Sequence, residues 1–183
     1  MNKKEKVKIL KDVELKLMAE LMKNSRRSDR ELARTLGVSQ PTVSRTIKRL
    51  KEEGMIQEYT MIPDFAKLGY EILALTFVKL NRQLSDEEIE AAKKLIRETL
   101  KAMPLEVAML ERGRGMDFDG VIISYHADYS SQEKFLELLN TTGFLDVDKL
   151  EIFRVNLKDK VRFLPLSFSS LALWISTVKE RKK

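Results

Sequence analysis

The sequence has no cysteine and a single histidine among its 183 residues. Without cysteine the chain can form neither a disulfide framework nor a thiolate metal site. One histidine excludes metal sites built from several histidines and leaves little room for histidine-based catalysis. We therefore expect no metal ion, no cofactor and no catalytic residues.

Long apolar runs are absent as well. No run reaches the roughly 18 uninterrupted apolar residues of a membrane span, and the first twelve residues, MNKKEKVKILKD, lack the apolar core of a secretory signal. The apolar content of 43% still suffices for a hydrophobic core, in one large domain or two small ones. These observations predict a cytoplasmic protein without a membrane span.

Positive charge is concentrated in the first third of the chain. Residues 1–60 contain 15 Lys and Arg against 9 Asp and Glu, whereas residues 61–183 contain 19 of each. The whole net charge of +6 therefore belongs to the first sixty residues. Such a local surplus is typical of a surface that binds an anionic partner. The alternative is an ordinary solvated basic surface.

The first sixty residues predict three short helices. Apolar residues at helical spacing indicate the first helix over residues 12–23. Ser28 and Glu31 form a capping box at the start of the second. Ser39 caps the third, whose first turn contains Pro41. The second and third helices, joined by the short turn Gly-Val-Ser, make a helix-turn-helix.

Strand character follows over residues 55–62 and stops at Pro63, so this segment would begin a wing. The change of pattern there predicts a winged helix-turn-helix DNA-binding domain over residues 1–62. A second domain is predicted over residues 63–166. An apolar and then basic C-terminal extension is predicted over residues 167–183.

The second domain alternates strands and helices in the order β-α-β-β-α-β. Strands are predicted over residues 72–80, 105–111, 121–126 and 150–157, and helices over residues 85–103 and 130–143. The segment ERGRGMDFDG over residues 111–120 is predicted as a loop. Two further capping boxes, Ser85 with Glu88 and Ser130 with Glu133, support the helix starts. The order is that of a ferredoxin-like sandwich. The predicted fold class is therefore α+β, a winged helix-turn-helix followed by a ferredoxin-like (βαββαβ) domain.

The third helix, within GVSQPTVSRTIKRL, carries the main functional pattern. Val43, Ile47 and Leu50 share one side and are expected to pack on the first two helices. The opposite side offers hydroxyl and guanidinium groups near its first turns and further cations beyond. In a major groove, first-turn groups of this kind read base edges and later cations meet phosphates. The candidate DNA-binding residues are Ser28, Ser39, Gln40, Pro41, Thr42, Ser44, Arg45, Lys48 and Arg49.

The stretch DVELKLMAELMKNSRRSDRELARTLGVSQPTVSRTIKRLKEEGMIQEYT resembles the N-terminal domain of the Lrp/AsnC (feast/famine) transcriptional regulators. The matching features are the helix from Asp12, Arg26-Arg27-Ser28, Glu31-Leu32-Ala33, Leu36-Gly37-Val38-Ser39, Val43, Arg49-Leu50, Glu53-Gly54-Met55-Ile56 and Tyr59. The family's second domain is also β-α-β-β-α-β, so the resemblance extends to about Phe168. It implies a sequence-specific regulator of double-stranded DNA that forms a homodimer or a larger assembly of dimers.

The resemblance also implies a small-molecule effector. Many family members sense amino acids around a Gly-x-x-Asp-type loop, and the matching segment here is GRGMDFDG over residues 113–120. The candidate effector-binding residues are Gly113, Gly115, Asp117 and Asp119. A carboxylate suits a ligand's ammonium group, and glycine leaves backbone N–H groups accessible to its carboxylate. The alternative is a β-hairpin turn with polar tips.

The strand within residues 72–78 is apolar on both faces, which independently supports a dimer. Two helices cover only one face of a sheet, so a second copy of the chain is the expected cover for the other. The alternative is that the C-terminal tail folds back over that face. For the extension over residues 167–183 we expect packing within the assembly, with a membrane surface or nucleic acid as alternatives.

Two competing functions stay open from the sequence. One is an architectural DNA-binding protein with little sequence specificity. The other is an enzyme, because siroheme decarboxylases are similar in domain plan to this family. Those enzymes need cationic and histidine side chains around a tetrapyrrole, whereas this chain has a single histidine, His126, and its third helix keeps an intact basic outer face. We expect His126 to be structural.

Overall fold

The computed structural model describes residues 10–102, 106–143 and 145–177. Its helices are α1 (Asp12–Lys23), α2 (Asp29–Leu36), α3 (Gln40–Glu52), α4 (Asp86–Ala102), α5 (Tyr129–Asn140) and α6 (Ser169–Thr177), with a 3-10 turn at Val147–Lys149. Its strands are β1 (Ile72–Val78), β2 (Val107–Gly115), β3 (Phe118–His126) and β4 (Glu151–Asn156). Two compact units result: a first unit of Met1–Ile62 with Arg162–Lys183, and a second unit of Pro63–Val161. Within the described ranges, none of the helices has the length and apolar character needed to cross a membrane.

The first unit is built around a core shared by α1, α2 and α3. The side chains at its centre, each at most 1% exposed, are Leu17, Leu32, Val43 and Leu50. The predicted capping box of α2 is present, because the Ser28 hydroxyl accepts from the Glu31 N–H at 3.3 Å and the Glu31 carboxylate accepts from the Ser28 N–H at 2.7 Å. Gly37 ends α2 with a φ of 67°, a conformation that favours glycine. The three predicted helices are confirmed.

The predicted strand over residues 55–62 is not formed. A strand needs a neighbouring strand to take its backbone hydrogen bonds, and the described chain offers this segment none. The N–H groups of Met55 and Ile56 instead donate to the Leu50 carbonyl at 2.9 and 3.2 Å. The strand prediction is therefore wrong, and the segment leaves α3 as an irregular connection.

The C-terminal extension contributes a helix to the first unit. α6 packs against α1 there. Ala172 is fully buried, whereas Leu173 and Trp174 are 60% and 52% exposed. The described part of the extension thus lies on a helix of the first unit, and the alternative in which it folds back over the sheet is not found.

The second unit contains a four-stranded antiparallel sheet in the order β2-β3-β1-β4. β1 pairs with β3 along its whole length, with Ile72 opposite His126 and Val78 opposite Gly120, and it pairs with β4 on its other side. α4 connects β1 to β2 and α5 connects β3 to β4, so each helix crosses past one intervening strand. This arrangement confirms the predicted α+β class and the ferredoxin-like order.

The predicted capping box at the start of α4 is also present. The Ser85 N–H donates to the Glu88 carboxylate at 2.9 Å, and the Glu88 N–H donates to the Ser85 hydroxyl at 3.2 Å. Arg82 donates to both oxygens of the same carboxylate. The Arg82 hydrogen bond, followed by the bond from the Ser85 backbone, lowers the pKa of Glu88 to about 2. The cap is therefore ionised at neutral pH.

The start of α5 differs from the prediction. Asp128 caps the helix: its carboxylate accepts from the Ser131 N–H at 2.8 Å, and the Ser131 hydroxyl accepts from the Asp128 N–H at 3.2 Å. Ser130 already lies in the first turn, so the predicted box of Ser130 with Glu133 is wrong. A carboxylate accepts more strongly than a hydroxyl, which explains why the earlier residue takes the cap.

Residues 111–120, predicted as a loop, belong mostly to a β-hairpin. β2 continues to Gly115 and β3 begins at Phe118, which leaves only Met116 and Asp117 in the turn. Both turn residues have positive φ, 51° and 65°, as in the two-residue turns that match the twist of a hairpin. The loop prediction is wrong, and the alternative of a hairpin turn with polar tips is the arrangement found.

The two faces of the sheet differ in their cover. The buried side chains of β1 are Ile72, Ala74, Thr76 and Val78, and the alternating half-buried set is Leu73, Leu75 and Phe77. On the buried face, Phe135 of α5 packs against Val78 and Ile122. On the opposite face, Phe153 of β4 lies opposite Leu75 and is 61% exposed. The described chain thus leaves an apolar sheet face open.

Candidate nucleic-acid interface

α3 is fixed at its start by its own side chains. The Ser39 hydroxyl accepts from the Thr42 N–H at 3.3 Å and lies 2.8 Å from the Thr42 hydroxyl. Pro41 occupies the first turn, where the lack of an N–H has no cost. Ser39 and Thr42, both candidate DNA-binding residues, therefore lie at the front of α3 with their hydroxyl groups engaged in its cap.

The side of α3 opposite the core is exposed. Pro41, Arg45 and Lys48 lie on this side, and Gln40 is exposed at the start of the helix. The Arg45 Nε donates to the Pro41 carbonyl at 3.1 Å, so this side chain follows its own helix. Lys48 is 79% exposed, and its ammonium lies 3.9 Å from the Glu52 carboxylate. These side chains can meet an external partner without disturbing the packing of the helix.

Ser44 is placed differently from these four residues. Its hydroxyl donates to the carboxylate of Asp29 in the first turn of α2, and it also lies 3.3 Å from the Gln40 carbonyl. The Asp29 contact joins α2 to α3 and helps to set the angle between the two helices. Sequence reasoning named Ser44 as a DNA-binding residue, whereas its contacts here lie within the first unit.

Arg49 is also bonded inside the unit. Its guanidinium pairs with the Glu14 carboxylate of α1. Glu14 is only 4% exposed, and its second oxygen accepts from the Lys11 N–H at 2.7 Å. The Arg49 side chain itself remains 41% exposed. The contact therefore ties α3 to α1 without removing Arg49 from the surface.

Ser28 lies at the start of α2 and takes part in the capping box of that helix. Hydrogen bonds from the Ser28 side chain and backbone lower the pKa of Glu31, so this carboxylate stays charged at neutral pH. Two cations that sequence reasoning missed, Arg30 and Arg34, are exposed on α2. Their i, i+4 spacing in the sequence places them on one helix face, and that spacing could have identified them.

An open groove of about 630 Å³ runs between the start of α1 and α3. Its lining residues are Lys11, Asp12, Val13, Glu14, Val38, Thr42, Arg45, Thr46 and Arg49. Candidate residues Thr42, Arg45 and Arg49 line this groove together, whereas Ser28 does not. The described structure thus offers a cationic face on α3 with a groove along one side. Such a helix face fits a DNA major groove, and the adjoining protein groove can take the neighbouring DNA backbone.

The candidate effector residues lie at the β2–β3 hairpin of the second unit. The Lys79 ammonium donates to the Asp117 carboxylate at 2.8 Å and lies 3.7 Å from the Asp119 carboxylate. The Asp119 carboxylate also accepts from the Leu80 N–H at 3.0 Å. The Lys79 hydrogen bond lowers the pKa of Asp117, and the same bond raises the pKa of Lys79. Gly113 and Gly115 are exposed in β2. The two carboxylates are thus already paired within the chain.

His126, the last residue of β3, is fully buried next to α5. Its Nε2 lies 2.8 Å from the Ser124 hydroxyl, and its Nδ1 lies 3.4 Å from the Glu106 carboxylate. The centroid of its ring lies 5.3 Å from the centroid of the Phe135 ring. Burial lowers the pKa of His126, and the Glu106 charge partly opposes this shift. The histidine is therefore placed as a structural residue. The described ranges contain no group of three or more residues that could hold a metal ion.

Comparison with known proteins places the first unit among DNA-binding domains. Residues 10–57 match the family model described as winged helix-turn-helix DNA-binding. The chain is 30% identical over 140 residues to the HTH-type transcriptional regulator Ptr1 of Methanocaldococcus jannaschii. That alignment covers 74% of this chain and 88% of Ptr1, so the similarity spans both units.

Solved structures are similar to this chain over most of its length. The crystal structure of PH0061, an HTH-type regulator of Pyrococcus horikoshii, has a TM-score of 0.66 at 26% identity and covers 91% of this chain and all of its own. An AsnC family transcriptional regulator of Agrobacterium tumefaciens has a TM-score of 0.67 at 16% identity, over 88% and 99% of the two chains. The Neisseria meningitidis regulator NMB0573, solved as a complex with L-Met, has a TM-score of 0.65 at 20% identity, over 88% and 99%.

Proposed function

The chain belongs to the Lrp/AsnC family and is a transcriptional regulator with a helix-turn-helix DNA-binding domain, and from this premise we propose that α3 selects its DNA site. The observation that carries the proposal is the exposure of Gln40 and Arg45 on α3 while Val43 and Leu50 hold the helix in the core. Arginine reads guanine through two hydrogen bonds, and glutamine can read adenine in the same way. Arg45 is the proposed main base reader.

The surrounding cations are proposed to contact the DNA backbone. Lys48 on α3 and the pair Arg30 and Arg34 on α2 are exposed. In a helix-turn-helix the first helix crosses the backbone while the second enters the major groove. Contacts to phosphates fix the position of the protein but carry no base information, so these residues support affinity rather than selection.

Selection of bound duplexes from a random pool tests this function directly. We expect one enriched motif whose two half-sites are related by a two-fold axis, and an affinity for it at least about 1000-fold above that for random duplex. An architectural DNA-binding protein would bind both duplexes with similar affinity. A pool without enrichment would therefore contradict the proposal.

We propose further that two copies of the chain associate through the open face of the sheet. This face carries the half-buried side chains Leu73, Leu75 and Phe77 and the exposed Phe153. Covering such apolar surface favours association. Phe153→Glu should sediment as a monomer where the wild-type chain sediments as a dimer or larger assembly. Lys134→Glu, on the exposed part of α5, is the control and should sediment like wild type.

An amino-acid-like effector is proposed for the second unit, around Gly113, Gly115, Asp117 and Asp119. The support is the resemblance of the fold to NMB0573, which was solved with L-Met. Since Asp117 already binds Lys79, the ammonium group of a ligand would have to replace the lysine. Calorimetric titration with the twenty amino acids tests the proposal. Absence of heat together with an unchanged assembly would reject this class of ligand.

The proposed function is one of binding in the cytoplasm and includes no catalytic step. The buried position of His126 supports this view, because the ring is not available to an added tetrapyrrole. Absorbance of the purified chain mixed with a tetrapyrrole is the corresponding test. A shifted absorbance band that requires His126 would favour the enzyme alternative.

A further inference from the structure

Glu14 is a buried carboxylate directly behind the DNA-binding face. It lies in the first turn of α1 and is only 4% exposed, a rare position for a charged side chain. One oxygen accepts from the Lys11 N–H at 2.7 Å and the other meets the Arg49 guanidinium. A charge removed from water needs partners of this kind. Arg49 therefore stabilises Glu14, and Glu14 in turn fixes the position of Arg49.

The pair with Glu14 does not use all of the Arg49 guanidinium. The contact involves one terminal nitrogen, Nη2, whereas a guanidinium has five N–H donors in a planar fork. The side chain is 41% exposed and lines the groove between α1 and α3 together with Arg45. Its other donors can therefore reach a phosphate that lies along this groove.

We propose that Glu14 is a positioning residue for DNA binding, which holds the Arg49 guanidinium so that it donates to a DNA phosphate at the groove between α1 and α3. The inference rests on the proposed function, in which α3 enters the major groove. A side chain that is already ordered loses less conformational freedom on binding. The negative charge of Glu14 alone would weaken DNA binding, because a carboxylate repels the DNA backbone.

A second ion pair in the same unit supplies a matched control. Glu20 of α1 pairs with Arg27, and the other terminal nitrogen of Arg27 donates to the Thr35 hydroxyl. Both ends of this guanidinium are thus bonded inside the unit, and the side chain is 24% exposed. Neutralising Glu20 alters the net charge as much as neutralising Glu14 does, and it leaves Arg49 in place.

The experiment measures the affinity of Glu14→Gln, Glu20→Gln and the wild-type chain for duplex DNA over a range of salt concentrations. We expect Glu14→Gln to bind roughly tenfold more weakly, the scale of one hydrogen bond to a charged group. The slope of log affinity against log salt should fall in magnitude by about 0.9, the value for one phosphate contact. Glu20→Gln should keep the wild-type slope and bind at least as tightly as wild type.

The opposite result for Glu14→Gln would overturn the proposal. If the variant binds as tightly as wild type or more tightly, with an unchanged slope, Glu14 only joins α1 to α3. Arg49→Ala should show the same reduced slope as Glu14→Gln. The double variant should lose no further affinity, because Glu14 acts through Arg49, and an additional loss would contradict this route.

Arg49→Lys keeps the test decisive if Glu14→Gln does not fold. Lysine keeps the charge but lacks the planar fork that can hold a carboxylate and a phosphate together, so we expect the same reduced slope. A wild-type slope for Arg49→Lys would overturn the proposal. Thermal unfolding of each variant checks that the first unit is intact.

Failure of the proposed function has a different signature. In that case the wild-type chain binds selected and random duplexes with equal affinity. The slope of log affinity against log salt is largely independent of base sequence, so the role of Glu14 can be tested on random duplex alone. The role of Glu14 can therefore be rejected even where the wild-type chain still selects its site.

Discussion

α3 and the β2–β3 hairpin both carry candidate polar side chains but engage them differently. On α3, Gln40, Arg45 and Lys48 are exposed, and the bonds of the two cations stay within their own helix. At the hairpin, Asp117 and Asp119 are held by Lys79, and Asp119 also accepts from the backbone N–H of Leu80; both partners lie just after β1. An exposed group whose bonds stay within its own helix gives up little besides water when it binds, whereas a group paired with a distant part of the chain must first give up its partner. Residue type therefore suggests a site, and the internal partners decide how readily it can bind.

The largest expected effect concerns the buried side of α3. Leu50 is fully buried in the core shared with α1 and α2, so Leu50→Ala should lower the free energy of unfolding by about 2–5 kcal/mol. Chemical denaturation measures this loss. Lys48→Ala, on the exposed side, should change stability by no more than about 0.5 kcal/mol. Equal losses for the two variants would contradict the assignment of an inner and an outer face.

Arg45→Ala tests the exposed side of the same helix. We expect the free-energy difference between selected and random duplex to shrink by about 1–3 kcal/mol, because Arg45 is the proposed reader of a base. Binding titrations with both duplexes measure the difference. Lys48→Ala should instead weaken both duplexes by a similar factor. If Arg45→Ala also weakens both equally, Arg45 is a phosphate contact and not a base reader.

Asp119→Ala examines the polar groups at the turn. The variant removes the acceptor of the Leu80 N–H, a bond of 3.0 Å, and should lower the free energy of unfolding by about 1 kcal/mol. DNA affinity should not change, because Asp119 belongs to the second unit. Denaturation and binding assays on the same preparation separate the two effects. A loss of DNA affinity without loss of stability would give Asp119 a functional role instead.

Asp117→Asn should have the smallest effect, since the carboxylate lies at the exposed tip of the turn. The Lys79 hydrogen bond lowers the pKa of Asp117 below its ordinary value of 3.8. Because the pKa of Asp117 is lower in the folded chain, the pair stabilises the fold fully at pH values above the ordinary, unfolded pKa. This contribution is lost as the pH falls through the folded pKa. The melting temperatures of wild type and Asp117→Asn should thus differ slightly at neutral pH and converge in strong acid. A difference that grows on acidification would contradict this origin.

The regular elements were predictable because their determinants are local. The capping boxes of α2 and α4 and the exit of α2 at Gly37 each depend on residues at most four positions apart. The start of α5 was missed because Asp128, Ser130 and Ser131 all suit a cap, and the pattern does not show which one the chain uses. Residues 55–62 have the composition of a strand, but a strand also requires a neighbour that no local pattern supplies.

The internal partners of the candidate site were not predictable from the sequence. Glu14 and Arg49 are separated by 35 positions, and Asp29 and Ser44 by 15. Nothing local distinguishes Ser44, which bonds to α2, from its neighbour Arg45, whose bond stays within α3. The same limit applies to Asp117 and Asp119, since their partner Lys79 lies just after β1 and is distant from them in the sequence.

The sequence by itself determined the helix-turn-helix, the order β-α-β-β-α-β and the two sides of α3, because caps and hydrophobic periodicity act over a few residues. Only the tertiary structure decided which polar groups are engaged within the chain. It placed Arg49 on a buried carboxylate and left Arg45 exposed, and it reduced the expected loop at residues 111–120 to a two-residue turn. The physical reason is that a hydrogen bond or ion pair depends on where its partner lies in space, and residues far apart in the chain become neighbours only through packing.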